Sequence, residues 1–149
     1  MAGRFIPSLE TELDRKNEIE VLDQIASKYS RITYNQTIKF KRYDADLFVD
    51  KKLYAITEIK CRKNICHDRF ATAIIRVDKW QACKKIAKEL YVKFFIIFRY
   101  TDGIFYLNET NTNKDQDGRY IGYIAPKNNP FGEKEQVIYF PVKLLKKIV

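Results

Sequence analysis

The stretch Tyr43–Arg62, YDADLFVDKKLYAITEIKCR, decides the fold. It opens on a short apolar-alternating segment that carries Asp44 and Asp46. A polar turn, Asp50-Lys51-Lys52, leads into a second apolar segment that ends in Glu58-Ile59-Lys60. Two such segments around a short turn predict a β-hairpin. Side chains alternate along a strand, so Glu58 and Lys60 share one face and Ile59 takes the other. Asp44 and Asp46 likewise share a face, with Ala45 and Leu47 opposite. A hairpin loop with an odd number of residues sets Asp46 beside Glu58 and Asp44 beside Lys60, whereas an even loop swings the aspartates away. Clustered carboxylates repel one another and need a cation. The register therefore decides whether this hairpin makes a divalent-metal site.

Working outward, residues 9–29 predict a helix capped by Ser8, with Glu10 and Glu12 in its first turns. Ile19, Leu22, Ile25, Ala26 and Tyr29 fall at helical spacing, and Asn17 marks a point where the helix could divide. Glu18 lies on the stripe Glu18-Leu22-Ile25-Tyr29 and so faces inward, unlike Glu10 or Glu12. A charge there needs a partner or a metal. Residues 31–43 alternate and are rich in β formers. After the hairpin, 64–71 reads as a loop and Thr72–Val77 as a short strand. Asp78 then caps a helix from Lys79 to about Leu90, with Trp80, Cys83, Ile86, Ala87 and Leu90 inward. YVKFFIIFRY, residues 91–100, is almost continuously apolar, the pattern of a strand covered on both faces. Thr101-Asp102-Gly103 turns into a strand over 104–107, and 108–119 forms a polar loop. Strands follow at 120–125 and 136–140, and Pro141 opens a last short helix over 142–148. With no repeat, low-complexity tract or linker in view, the expectation is one α/β domain over residues 1–149, its mixed central sheet flanked by helices.

The chain has 149 residues, 46% hydrophobic and 32% charged, which suits a globular domain rather than a disordered one. No apolar run nears the roughly 20 residues that cross a bilayer. The first residues, MAGRFIPSLETELDRKNE, contain no apolar signal core. Three cysteines, Cys61, Cys66 and Cys83, build no disulfide framework and suggest a reducing cytoplasm. Twenty-eight basic against 19 acidic residues give a net charge of +9. The basic residues cluster as Lys39-Lys41-Arg42, Lys60-Arg62-Lys63, Lys84-Lys85-Lys88 and Lys143-Lys146-Lys147. Such a surface suits a polyanion like nucleic acid, or else is simply a set of solvated faces.

Given the hairpin register, the chemistry follows. Magnesium takes oxygen ligands, often one or two carboxylates with waters and a substrate phosphate. Glu58 and one of Asp44 and Asp46 supply carboxylates, and the Ile59 carbonyl adds an oxygen. A bound divalent ion makes a water easier to deprotonate, and Lys60 can orient that water or stabilise charge on phosphoryl oxygens. Arg62 and Lys63 continue past the site and can grip flanking phosphates. These groups together describe phosphodiester hydrolysis.

The arrangement of an aspartate-bearing strand followed by Glu58-Ile59-Lys60 resembles the PD-(D/E)XK nuclease superfamily, the restriction-endonuclease-like fold. The resemblance covers roughly residues 10–108, in the order helix, three-stranded meander, helix, strand. It implies that Asp44 or Asp46 is the motif aspartate and that Glu58 and Lys60 are the E-x-K pair. EIKCRK also resembles the matching strand of archaeal Holliday junction resolvases and several phage nucleases. No proline precedes either aspartate: Tyr43 stands before Asp44 and Ala45 before Asp46. Many members add a glutamate from the first helix, a part that Glu18 matches best, with Glu20 as the alternative. Members also often place a lysine or glutamine at the position of Lys79, near the scissile phosphate. The resemblance implies a Mg²⁺- or Mn²⁺-dependent endodeoxyribonuclease, with DNA as partner and RNA not separated from it. Structure-directed cleavage of junction or branched DNA fits a chain with no evident target-recognition domain. Junction resolvases of this fold act as dimers, which suits cutting two strands, although the sequence marks no dimer face. The alternative is a basic nucleic-acid-binding module without catalysis.

Other signals weigh less. Cys61-x4-Cys66-His67 offers only three nearby soft ligands, where structural zinc wants four in paired spacings. His67, the only histidine, reads as a loop residue. Asn113-x-Asp115-x-Asp117-Gly118 opens like a calcium loop, but its twelfth position is Ile124 instead of a bidentate glutamate. The ten tyrosines and ten phenylalanines fall mostly on strand faces and read as core.

Overall fold

The computed structural model describes residues 12–38, 42–108, 123–128 and 134–149. Helix α1 spans Glu12–Lys28 and runs unbroken through Asn17. Strands β1 (Ile32–Gln36), β2 (Ala45–Val49) and β3 (Lys52–Arg62) form an antiparallel meander. Strand β4 (Thr72–Arg76) and helix α2 (Val77–Leu90) then carry the chain over to β5 (Lys93–Tyr100), which lies parallel to β3. Strand β6 (Gly103–Asn108) pairs antiparallel with β5. Strands β7 (Tyr123–Asn128), β8 (Lys134–Pro141) and β9 (Lys146–Lys147) follow.

The sheet expected to run through the whole fold is in fact two. Six strands in the order β1-β2-β3-β5-β6-β9 form a mixed sheet, and β4-β8-β7 form a separate antiparallel one. The core order of helix, meander, helix and strand makes this an α/β fold with a restriction-endonuclease-like core. The segment after Pro141 is not a helix of seven residues. It is a single 3-10 turn over Val142–Leu144, followed by β9 on the edge of β6. Among the described residues, no helix is long and apolar enough to cross a membrane. The expected cap Ser8, Glu10, Lys39, Lys41 and the 113–118 loop lie outside the described residues.

Alternation along β5 explains why β3 and β5 sit at the centre. Phe94, Ile96 and Phe98 point into a core with Trp80, Cys83 and Ala87 of α2 and with Ile75 and Phe140 of the second sheet. Ile97 points the other way, into a core with Val21, Leu22 and Ile25 of α1. Each such fully buried side chain contributes roughly 1.5–3 kcal/mol. The inward face of α1 is Glu18, Val21, Leu22 and Ile25, while Ile19 and Tyr29 stay exposed. Helix α2 begins one residue before Asp78, and its N-cap, Arg76, makes no side-chain cap bond. Asp78 instead accepts from Arg76 and from the Lys79 N–H within the first turn, where a negative charge complements the helix dipole.

The hairpin register corrects the sequence expectation. Val49 pairs with Lys52, so the loop has two residues, Asp50 and Lys51. Both have positive φ, 51° and 69°, as the tight turn that matches strand twist requires. That even loop alone would place Asp44 opposite Thr57 and throw Glu58 to the far face. A bulge prevents it. Phe48 pairs with Leu53 and Leu47 with Ala55, leaving Tyr54 without a partner. One extra residue in one strand shifts the pairing by one. From there Ala45 pairs with Thr57 and Asp46 with Ile56. Asp44, the next residue out, therefore faces Glu58. The expected pairs Asp46–Glu58 and Asp44–Lys60 are not formed.

Candidate active site

The site forms where β2 ends against β3. Beyond the Ala45–Thr57 pair the ladder stops, and the N–H of Ile59 donates to Asp44 Oδ2 at 2.7 Å. Thr37 pins the chain just before β2, its Oγ1 donating to the Tyr43 carbonyl at 2.5 Å and its N–H to the Asp44 carbonyl at 2.9 Å. The Asp44 backbone is thus fixed on both sides before its carboxylate is used.

Glu58 lies almost wholly buried, between two lysines. Its Oε2 is 3.4 Å from Lys60 Nζ and its Oε1 is 3.5 Å from Lys79 Nζ. Glu58 Oε1 has no hydrogen bond among the described residues. From α1, the buried Glu18 reaches the same cleft and accepts from Gln36 Nε2 at 3.2 Å. Gln36 Nε2 also donates to the Arg15 carbonyl, which ties the end of β1 to α1. Asp44, Glu58, Glu18, Ile59, Lys60 and Lys79 all line one cleft of about 390 Å³.

The electrostatics bear the mark of crowded negative charge. Burial, then the Glu58 and Glu18 charges, push the Asp44 carboxyl up to about 8, against the opposing pull of the Ile59 N–H and Lys79. Burial and then Glu58 push the neighbouring Cys83 thiol up to about 12. A buried carboxylate oxygen without a hydrogen bond is costly unless something else meets it. The carboxylates give hard oxygen donors, and the one sulfur lining the cleft, Cys61, has a thiol that burial pushes up, so the residues fit a cation of the magnesium kind.

The remaining expected residues divide. Arg62 lines the cleft. Lys79, third in α2, also donates to the Arg42 carbonyl at 3.1 Å. Asp46 does not join the cluster. Opposite Ile56, it accepts from the Tyr43 hydroxyl at 2.8 Å, and burial with that bond pushes the phenol up to about 12. Lys63 is held beside α1 by Glu20 at 3.1 Å and by Asn17 at 3.2 Å, and neither Lys63 nor Glu20 lines the cleft. Sequence reasoning missed Arg76, Asp14 and Asn17, which line the cleft as well. The signal for Arg76 was its position at the end of β4, immediately before the helix that carries Lys79.

His67, Asp68 and Asp102 form a separate group, with ligand atoms within 4.8 Å of one another. They largely serve each other: Asp102 accepts from the His67 ring Nδ1 at 2.5 Å and from the His67 backbone N–H at 2.8 Å. The His67 ring also stacks on Phe105 at 4.4 Å. The Cys66 thiol lies beside this group, bonded to Asp68, and that bond with burial pushes it up.

No curated protein matches the chain. A family model described as "Phage putative PDDEXK endonuclease" matches residues 4–148, a span that includes every residue of the acidic cleft. The chain belongs to this phage PD-(D/E)XK family, a family of nucleases whose substrate is nucleic acid.

Proposed function

We infer that the chain hydrolyses phosphodiester bonds of DNA with the help of Mg²⁺ or Mn²⁺. One observation carries this reading: Asp44 and Glu58 face each other across the end of the β2–β3 ladder, with Glu58 Oε1 buried and, among the described residues, met by no hydrogen bond, only by Lys79 at 3.5 Å. Asp44, Glu58 and the Ile59 carbonyl would hold the ion, and Glu18 would complete the acidic wall. When bound, the ion supplies positive charge to the phosphate and acidifies an attacking water. The chain's own groups do the rest. Lys60, paired with Glu58, orients the water or meets charge developing on the phosphoryl oxygens. Lys79 holds the other Glu58 oxygen and stands ready for the scissile phosphate. Arg62 and Arg76 position the strand by its backbone.

The test is cleavage of plasmid, linear, single-stranded and four-way-junction DNA, and of RNA, with Mg²⁺, Mn²⁺ or EDTA. Cleavage that EDTA stops, and that Glu58→Ala and Lys60→Ala abolish while nucleic-acid binding persists, supports the reading. Binding without cleavage under every metal condition would leave a binding module instead.

A further inference from the structure

A second cleft of about 560 Å³ opens beside the acidic one, within the roughly 300–1,000 Å³ range of sites that enclose a small ligand group. Two strands run along both. From β3, Arg62 lines the two clefts at once. On β4, Thr72 and Ile74 line the second and Arg76 the first, at alternate positions on one strand face. The second cleft is aromatic where the first is charged. Phe98 and Tyr100, with rings 6.0 Å apart and 15° from parallel, form its buried wall. Phe70 stands at the rim, 58% exposed, with the Arg69 guanidinium 5.4 Å over its ring. Polar edges come from Asn64, Thr72 and His67, the last already held in place by Asp102.

We propose that this cleft takes an unpaired nucleobase of the strand whose phosphate lies at the Asp44–Glu58 cleft. This rests on the nuclease reading of the acidic cleft and adds a substrate class to it. Arg62 offers a cation where the backbone would cross between the clefts, the exposed Phe70 ring offers a face to the flat base, and the polar groups meet its edge. Thr72 and Arg76 are four residues apart, ~13 Å along a strand, and a stacked nucleic-acid strand advances ~3.4 Å per nucleotide, so the base belongs about four nucleotides from the cut. A base inside an intact duplex cannot enter without leaving its stack. The preferred substrate is therefore single-stranded or locally unpaired.

The experiment measures binding of fluorescent single-stranded and duplex oligonucleotides in EDTA, where no cutting competes, and repeats it with strands carrying one abasic position. Single strands are expected to bind at least about 10-fold more tightly than duplex. One abasic position, about four nucleotides from the mapped cut, is expected to cost about 10-fold, as is Phe70→Ala, the size expected for one stacked base. Phe70 is exposed, so its variant should melt with the wild type, and Asn64→Ala gives a second probe of the same cleft. Equal binding of single strand and duplex, or indifference to both variants and to every abasic position, overturns the proposal. Cleavage in Mg²⁺ is scored separately. Metal-dependent cutting with no abasic or Phe70 effect sinks the base cleft and leaves the nuclease reading. A base-dependent binding signal with no cutting in any metal sinks the nuclease reading alone.

Discussion

The backbone N–H of Ile59 donates to Asp44 Oδ2 at 2.7 Å, across the point where the β2–β3 ladder runs out. The bond fixes one carboxylate oxygen in a place where burial, Glu58 and Glu18 all oppose its charge. Asp44 stands at about 8 in the fold, against 3.8 for a free side chain. The folded chain therefore holds a proton that the unfolded chain releases. The stability this contributes is complete below about pH 4 and is lost as pH rises through about 8. Metal-free protein is expected to lose on the order of 4 kcal/mol between about pH 5 and pH 9 from this group. Asp44→Asn keeps an acceptor for Ile59 and removes the charge, so it should flatten that loss and raise the Tm at about pH 8 by several degrees. Mg²⁺ should raise the Tm of wild type and leave the variant unmoved. Thermal melts across pH, with and without Mg²⁺, check all three outcomes.

Asp44 and Asp46 are separated by one residue and have different surroundings. Asp46 faces Ile56 and takes the Tyr43 hydroxyl, a bond that asparagine can also accept. Asp46→Asn is expected to keep cleavage within about 3-fold of wild type, whereas Asp44→Asn loses at least about 100-fold. The same contrast holds on α1. Glu18→Gln should impair cleavage by about 10-fold or more, and Glu20→Gln, whose partner is Lys63 and which does not line the cleft, should change little. Steady-state cleavage of one labelled DNA by the four variants decides both pairs.

The two lysines flanking Glu58 should separate by size of effect. Lys60 points only to Glu58 Oε2 among the described polar partners, so Lys60→Met removes a group that acts on the reaction and should cost at least about 100-fold. Lys79 also bonds the Arg42 carbonyl, so its role is partly structural. Lys79→Met is expected to cost about 10-fold in cleavage and about 1 kcal/mol in stability, from the lost carbonyl bond and the unscreened Glu58. Paired kinetics and denaturant melts read the two effects apart.

The elements were legible where pattern and period agreed. The apolar run before Tyr100 announced a strand with two covered faces, and the E-x-K tripeptide announced the acidic edge. Glu18 was legible because a charge at an inward helical position stands out. The register was not, because it depends on a two-residue turn with positive φ at Asp50 and Lys51, residues with no glycine to betray it, and on a bulge at Tyr54. Each device changes the parity of the pairing, and their effects combine to restore the face that the chemistry needs. Side-chain alternation reports which residues share a face, not which partner they meet. The second sheet was missed for a related reason. Strand β4 reads like any five-residue strand, and only its pairing with β8, some 60 residues on, takes it out of the main sheet. Arg76 was lost with it.

The turn itself offers a last test. Lys51 holds φ at 69°, a left-handed conformation that costs an ordinary L-residue about 1 kcal/mol and costs glycine almost nothing. Its side chain is exposed, so replacing it removes no packing. Asp50, before it, is gripped by Arg31 Nε at 2.9 Å and favours the same turn. Lys51→Gly makes Asp-Gly, the preferred pair for a two-residue hairpin turn. Part of the relief returns as extra freedom in the unfolded chain. The net gain is expected at about 0.5–1 kcal/mol, with cleavage unchanged, since the register is already set by this turn and by Tyr54. Chemical denaturation of the variant measures the gain. A loss of stability or of cleavage would mean that the turn does not hold the hairpin in the register that sets Asp44 against Glu58.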